Sequence, residues 1–415
     1  MDDRVATVPR MPSLADLPRI FAAAPHRMLF FAGAAAVLVT MTWWACVLGA
    51  GYFGYEMPAP PVPAGWAHAV LTQYGMLAPF IFGFLLTVFP RWMGQPALTK
   101  RHYVPVFFGL FGGYLLTHAG LLANKALFVL GLCAMLSGWC YGVLQLGRVL
   151  WRNRAEDKHA LVCWLALLLG AFGLAAFVAF ALGATWIFAM IAIKTGTYAV
   201  LVPIYFTVCH RMLPFFSANV VGPAYVVFRP MWAPPTVLAL AIAHGVLEGT
   251  HAFASLWCVD LPLVAIFLLH ALRWQPWKCL APGLLAVLHA AFLWLPLGFA
   301  LFAIQSLVLD IGGVFVLGRA PVHAIAVGFF GSMLVAMVTR VTQGHSGRPL
   351  AMGVVPWIAF AALQLVALLR ILAEIVPEPS RWLMLAALGW LVAFAPWVLR
   401  SAWVYLTPRA DGRAG

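Results

Sequence analysis

The sequence predicts an all-α membrane protein, a single polytopic bundle of about twelve transmembrane helices. The composition is the first reason, because 64% of the 415 residues are hydrophobic and only 9% are charged. Soluble domains carry about 25% charged residues. The mean hydropathy of +0.96 is the second reason. A chain this apolar cannot cover its surface with polar side chains, so we expect the lipid bilayer to be its solvent.

Each predicted span is a run of about 20 apolar residues, the length of a helix that crosses the hydrocarbon core. Span eight is short and carries Asp260 near its start, so it is the weakest of the set. These spans form one transmembrane domain over 27–405, between a cytoplasmic N-terminal segment, 1–26, and a cytoplasmic C-terminal tail, 406–415. The predicted spans are 28–51, 67–89, 104–123, 126–147, 160–182, 185–208, 232–255, 257–273, 280–303, 321–340, 351–373 and 381–404.

The basic residues orient this bundle in the membrane. The net charge of +13 could indicate a nucleic-acid partner, but the arginines and lysines lie in short loops between apolar runs and form no single patch. With a cytoplasmic N-terminus, 20 of the 25 basic residues fall on the cytoplasmic side and three on the opposite side. Basic residues concentrate in cytoplasmic loops. The split therefore favours twelve spans with both termini in the cytoplasm, and membrane lipid, not nucleic acid, as the partner.

Histidines inside the predicted spans are the main functional candidates, because ionisable groups cost at least a few kcal/mol at membrane depth. His68 opens span two and His323 opens span ten, on the same predicted outer side. Haem needs axial ligands from facing helices at similar depth, and histidine is a common axial ligand. We therefore predict His68 and His323 as haem ligands. The alternative is that histidines of the spans are hydrogen-bonded within the bundle.

A second metal site is predicted in span seven. The segment HGVLEGTH places His244, Glu248 and His251 at i, i+4 and i+7, which is one face of a helix. Imidazole and carboxylate ligands suit copper, iron or zinc. His289, predicted near mid-depth in span nine, is the alternative to this helix face for a place near a second metal. The alternative is that Glu248 and His251 are solvated near the outer surface.

Spans two and ten share a weak sequence echo. Span two begins with HA at His68 and leaves through FPRWMGQPAL, and span ten begins with HA at His323 and leaves through VTRVTQGHSGRPLA. A duplication and a convergent way of ending a helix both explain it. His345 follows Arg340 and lies a membrane thickness from His323, since 17 residues of helix span about 25 Å. We expect this stretch to be a cytoplasmic contact motif.

Five segments resemble the NnrS family in order and spacing. They are HRMLFF before span one, GFLLTVFPRWMGQP, RMLPFF, LHAAFLWLPLG and HAIAVGFFGSMLVAMVTRVTQGHSGRPL. The resemblance covers nearly the whole chain and implies a twelve-span protein of the bacterial inner membrane that binds haem and copper and responds to nitric oxide and nitrosative stress. Carried over by motif, the implied functional residues are His68, Arg211, His289, His323, Arg340, His345 and Arg348, and we expect all of them except His345 to bind the cofactor.

One departure from the family pattern lies at the start of span two. Many members have an HxHE-like motif there, whereas this chain reads HAVL. His68 fits the first histidine, but Val70 and Leu71 replace the second histidine and the glutamate. Any ligand or proton-relay role of those two positions is absent here.

Three function classes remain open at this point. The first is a haem b protein, with copper as a second metal, that handles nitric oxide with electrons from quinol or a periplasmic donor. The second is an enzyme like the haem–copper oxidases or nitric oxide reductases, whose architecture has a related span count. Against it, span seven lacks an adjacent histidine pair, and no histidine precedes His210 in span six. The third is a transporter of a metal or small molecule, since buried charges are equally typical of transporters.

Overall fold

The structure is a computed structural model that describes residues 15–412. The predicted cytoplasmic segments at the two chain ends therefore lie partly outside the described residues. Within 15–412 every regular element is a helix. The long helices in chain order are α1 (Pro25–Phe53), α2 (Ala64–Trp92), α3 (Lys100–Leu122), α4 (Lys125–Arg152), α5 (Lys158–Leu182), α6 (Trp186–Ala224), α7 (Ala233–Gly249), α8 (Trp257–Lys278), α9 (Gly283–Gly312), α10 (Ala320–Ser346), α11 (Val354–Leu372) and α12 (Pro379–Leu406).

Eleven of these helices in the described chain are long and apolar enough to cross a membrane. The exception is α7, whose 17 residues span about 26 Å, slightly less than the roughly 30 Å of the hydrocarbon core. The sequence makes span eight the weakest; its α-helical part, Trp257–Arg273, is indeed only 17 residues long, but α8 as a whole qualifies as a span and α7 does not. The reason is that α7 ends at Gly249 and not near residue 255.

The first and last helices of the bundle contact each other. Nη1 of Arg27, near the start of α1, donates hydrogen bonds to the carbonyl oxygens of Tyr405 (3.1 Å) and Thr407 (2.9 Å) at the end of α12. Helix α1 packs against both α2 and α12. Because the first helix starts where the last one ends, the chain makes an even number of crossings. Counting α7 as a crossing satisfies this, and the polytopic helical bundle is confirmed.

Glycines bring neighbouring helices into backbone contact. A Cβ atom on Gly109 of α3 would lie 2.5 Å from the Cα atom of Gly138 on α4. Small residues at such contacts let membrane helices approach closely, which increases their van der Waals contact. The pairing of α3 with α4 is among the most extensive in the bundle.

Helices α2, α6 and α10 share a local distortion. Each contains a π-helical stretch, at Leu71–Leu77, Thr195–Leu201 and Ala324–Gly331. One further stretch of this kind lies in α3. His68, Lys194 and His323 precede the three stretches by no more than three residues. π-Helical turns are frequent at functional sites.

The same three helices meet just beyond their π-helical stretches. There they surround an apolar cavity of about 60 Å³. Its walls include Phe80, Phe84, Tyr205, Cys209, Met333 and Met337. The sequence similarity between spans two and ten is therefore matched by a similar helix distortion in α2 and α10. Helix α6 has the same distortion.

Candidate functional site

The histidines that open α2 and α10 lie near each other. His68 and Arg370 are both close enough to His323 to act on its charge. The Nδ1 atom of His323 lies 2.9 Å from the carbonyl oxygen of Arg319. This contact places the proton on Nδ1 and leaves a lone pair on Nε2. The ring of His68 stacks on Trp44 with centroids 4.3 Å apart, and its buried Nδ1 atom has no hydrogen-bond partner.

A fixed guanidinium group adjoins these two histidines. Nη1 of Arg370, on α11, lies 2.6 Å from Oε1 of Glu374. Oε2 of Glu374 accepts a hydrogen bond of 3.0 Å from the backbone N–H of Arg319. Arg370 falls within the predicted span 351–373, and the sequence alone gives it no role. Its position gives the histidine pair a cation that can bind an anionic group.

Only two of the three predicted metal ligands of span seven share a face. His244 and Glu248 do so, with Nε2 and Oε2 3.8 Å apart. His251 does not, because α7 ends at Gly249 and His251 lies in the following turn with a φ of 59°. The i+7 spacing has no meaning beyond a helix end, so the assignment of His251 to this metal group is corrected.

Three residues from neighbouring helices complete the group instead. Oδ1 of Asp260, on α8, lies 2.6 Å from Nδ1 of His244, and neither side chain is exposed. Nζ of Lys194, on α6, lies 2.7 Å from Oε1 of Glu248. The ring of Tyr198 packs on His244 with centroids 4.2 Å apart. We call His244, Glu248, Asp260, Lys194 and Tyr198 the outer polar group.

The outer polar group has the arrangement of a carboxylate–histidine pair that orients a ligand. Metal-bound histidines usually donate their second N–H to a carboxylate or carbonyl, as His244 can to Asp260. The buried atoms Nε2 of His244, Oε2 of Glu248 and the hydroxyl oxygen of Tyr198 have no hydrogen-bond partner. Among residues 15–412, no three His, Cys, Asp or Glu side chains converge in a way that could hold a metal ion. The candidate metal ligands in this group are therefore two atoms, Nε2 of His244 and Oε2 of Glu248.

The predicted cofactor-binding arginines lie at the other end of the bundle. Nη1 of Arg211 lies 2.6 Å from Oδ2 of Asp157, and its guanidinium stacks 4.1 Å from the ring centroid of Trp92. The guanidinium of Arg340 stacks 3.9 Å from the ring centroid of Phe216. Arg340 is 17 residues from His323, about 25 Å along the helix. The structure therefore does not bring these arginines to the histidine pair.

The motif GHSGRPL joins the same end to the C-terminal tail. The guanidinium of Arg409 donates a 2.9 Å hydrogen bond to the carbonyl oxygen of His345. The ring of His345 packs on His26 with centroids 4.5 Å apart. Nη2 of Arg348 lies 3.4 Å from Oγ1 of Thr407, and burial lowers the pKa of Arg348. These contacts fit the predicted contact motif and not a reactive centre.

His289 also differs from its predicted place. It is six residues from the start of α9, about 9 Å, and its Nε2 atom lies 3.3 Å from Oγ of Ser217. Ser217 adjoins Phe216, and the guanidinium of Arg340 stacks on the ring of Phe216. His289 therefore lies towards the arginine-rich end and not beside the outer polar group.

The sequence missed a buried cluster of three histidines. The predicted spans 160–182 and 185–208 leave His159 and His210 just outside them, whereas Nε2 of His159 lies 2.9 Å from Nδ1 of His210. The ring of His270 lies 5.3 Å from that of His210, between centroids. The available signal was that all three lie near the same predicted end of their spans.

Fold and site together define a multi-pass helical membrane protein with paired histidines near one end and an arginine-rich opposite end. The family model described as NnrS protein matches residues 20–409. Because this match covers nearly the whole chain, the protein belongs to the NnrS family. Membership supports a role as a membrane protein of the nitric oxide response. A comparison with curated proteins found no match.

Proposed function

We propose that this protein binds haem b through His68 and His323 in the inner membrane and handles nitric oxide or a metal–nitrosyl species by redox chemistry. The observation that carries the proposal is the placement of two imidazoles at one end of the bundle, where Arg370 is tied to the start of α10 through Glu374 and the backbone of Arg319. By the positive-inside argument this end is the outer half, with both termini in the cytoplasm. Nitric oxide dissolved in the bilayer reaches such a site laterally.

The residues at this site fit a haem. The hydrogen bond from Nδ1 of His323 to the carbonyl of Arg319 leaves Nε2 as a donor to iron. His68 is held by Trp44, and its buried Nδ1 atom has no hydrogen-bond partner. Arg370 suits a propionate, because guanidinium and carboxylate form charge-assisted hydrogen bonds. When bound, haem supplies a redox-active iron, with electrons from quinol or a periplasmic donor.

The outer polar group fits a second metal, with copper as the candidate. Nε2 of His244 and Oε2 of Glu248 are the ligand atoms, and Asp260 orients the imidazole through Nδ1. Lys194 binds the other oxygen of Glu248, so Oε2 stays available. Imidazole is a preferred ligand of copper, zinc and iron.

A second candidate function is an enzyme like the nitric oxide reductases. Lys194, His68 and His323 each lie within three residues of the start of a π-helical stretch, so the outer polar group and the proposed haem ligands occupy similar positions on their helices. The absence of an adjacent histidine pair in α7 argues against the mechanism of the haem–copper oxidases. Turnover of nitric oxide with a quinol donor distinguishes this candidate from binding alone.

The decisive experiment measures haem in the purified protein. We expect a reduced-minus-oxidised haem b spectrum and a pyridine haemochrome with stoichiometric iron. His68→Ala and His323→Ala should each abolish or shift the Soret band, whereas His251→Ala, an exposed histidine, should not. Protein without haem that accumulates a metal in proteoliposomes would instead identify a transporter. An unchanged spectrum in both ligand variants would refute the assignment of the ligands.

A further inference from the structure

A groove runs along the outside of the bundle between α4 and α5. Its volume is about 680 Å³, and apart from two arginines its wall is mainly apolar. On α4 the wall is a stripe of exposed residues at i, i+4, i+8 and i+12, which are Cys140, Leu144, Arg148 and Arg152. Residues at this spacing follow one side of a helix. Because they are exposed at membrane depth, this side of α4 faces lipid.

The groove has the length of one leaflet of the bilayer. From Cys140 to Arg152 the helix rises by about 18 Å, and half of the hydrocarbon core is about 15 Å thick. The basic residues at the end of α4 place that end on the cytoplasmic side. The apolar part of the groove therefore lies in the cytoplasmic leaflet, and its two arginines lie at the level of the lipid head groups.

Two tryptophans shape the basic end of the groove. Nε1 of Trp164, on α5, donates a 3.0 Å hydrogen bond to the carbonyl oxygen of Val143. The ring lies directly on the α4 backbone, since a Cβ atom on Gly147 would lie 2.9 Å from that nitrogen. Trp151 packs edge-on against Trp164 with centroids 6.2 Å apart, and it is 60% exposed. Exposed tryptophans are typical of the membrane–water interface, which this end of the groove therefore reaches.

The two arginines can bind an anion at this interface. Nη1 of Arg148 donates a 3.3 Å hydrogen bond to Oε1 of Gln145, which uses one of its five N–H groups. Neither Arg148 nor Arg152 forms an ion pair with a carboxylate of residues 15–412, and the nearby Asp157 is bound to Arg211. Like charges at i, i+4 repel each other. An anion between the two guanidinium groups relieves this repulsion.

We propose that this groove binds one anionic phospholipid of the cytoplasmic leaflet. The phosphate lies between Arg148 and Arg152, and an acyl chain follows the apolar wall towards Cys140. Guanidinium and phosphate form charge-assisted, often bidentate hydrogen bonds, and basic pockets between membrane helices on the cytoplasmic side bind anionic head groups. Phosphatidylglycerol has the net negative charge that such a site selects, whereas phosphatidylcholine is neutral overall. The site is independent of the proposed haem pair and of the outer polar group.

The test of the head-group contact is native mass spectrometry of the purified full-length protein in detergent, titrated with phosphatidylglycerol. We expect one tightly bound lipid per chain. The double variant Arg148→Gln/Arg152→Gln should weaken its binding by about 10- to 30-fold, because each basic residue at the membrane surface contributes a factor of about five. The matched control, Arg229→Gln/Arg273→Gln, removes two exposed arginines at the same end of the bundle and should bind like the unaltered protein.

The acyl-chain contact is tested by filling the groove. Cys140→Trp should weaken phosphatidylglycerol binding by about tenfold, which is the effect of displacing roughly two methylene groups. Cys258→Trp makes the same change at another exposed cysteine, on α8, and should have no effect. Each variant must retain the size-exclusion profile and helical circular dichroism of the unaltered protein, so that a loss of binding is not a loss of fold.

Four results would overturn the proposal. The first is equal binding of phosphatidylglycerol by the folded double variant and its control, and the second is equal binding of phosphatidylcholine and phosphatidylglycerol. The third is displacement of the lipid by excess inorganic phosphate, which would indicate a site for free anions. The fourth is a dimer that Cys140→Trp dissociates without affecting lipid binding, which would assign the groove to a second copy of the chain.

Discussion

The Nδ1 atom of His244 lies 2.6 Å from Oδ1 of Asp260, and the two side chains join α7 to α8 with no exposed surface. Removing one partner of a buried charged pair typically costs about 3–5 kcal/mol, because the other is left uncompensated. We therefore expect Asp260→Ala to lower the free energy of unfolding by a few kcal/mol, measured by denaturant unfolding in detergent. Asp310→Ala, an exposed aspartate on α9, should change it little. Equal stability of the two variants would contradict a structural role for the pair.

The charge on Arg370 should set the reduction potential of a haem bound by His68 and His323. Loss of a nearby cation stabilises the oxidised, more positive haem, so Arg370→Gln should lower the midpoint potential by tens of millivolts, on the order expected at an effective dielectric constant of 20. Spectroelectrochemical titration measures this shift. Arg381→Gln, at an exposed arginine, is the matched control. A shift of equal size in both variants would show that the effect is not local.

The contact between α3 and α4 should tolerate no side chain at Gly138. A Cβ atom there would lie 2.7 Å from the backbone nitrogen of Leu110. Overpacking of this kind typically costs about 1–3 kcal/mol, so Gly138→Ala should lower the melting temperature in detergent. Gly112→Ala meets nothing within 4 Å and should leave the melting temperature nearly unchanged. Equal melting temperatures of the two variants would contradict the prediction.

Arg27 should hold the C-terminal tail against the bundle. Its two hydrogen bonds reach the carbonyl oxygens of Tyr405 and Thr407, and bonds to a charged group contribute about 1.5–3 kcal/mol each. Arg27→Ala should therefore raise the rate at which limited proteolysis removes the tail. Arg19→Ala, at an exposed arginine outside the long helices, is the control. Unchanged cleavage in Arg27→Ala would mean that other contacts hold the tail.

The sequence could predict what depends on long apolar runs and on charge. The spans follow from run length. His68 and His323 are expected at the same end of the bundle because an even number of crossings separates them. The break after Gly249 could not be seen, because apolar residues resume at Ala252 and Phe253 and hydropathy does not detect a turn. His251 was therefore assigned to a helix that had already ended.

The histidine cluster and Arg370 were missed for a different reason. Whether a residue near a helix end faces water or the interior depends on the rotation of that helix, which span boundaries uncertain by a few residues do not fix. Starting α5 at Lys158 buries His159 against His210, whereas the predicted start at residue 160 left it in a loop. Asp260 was noted only as a weakness of span eight, although it is the partner of His244.

The contact between Arg27 and the end of α12 also bears on biogenesis. Helix α1 is synthesised first and its neighbour α12 last, so their shared seam cannot form during translation of the helices between them. Until the ribosome has delivered Tyr405 and Thr407, the α1 surface that α12 later covers faces lipid or the insertion machinery. Closure of the bundle at this seam must therefore wait until α12 has been made, and a chain released before that point would carry an open edge for quality control to recognise.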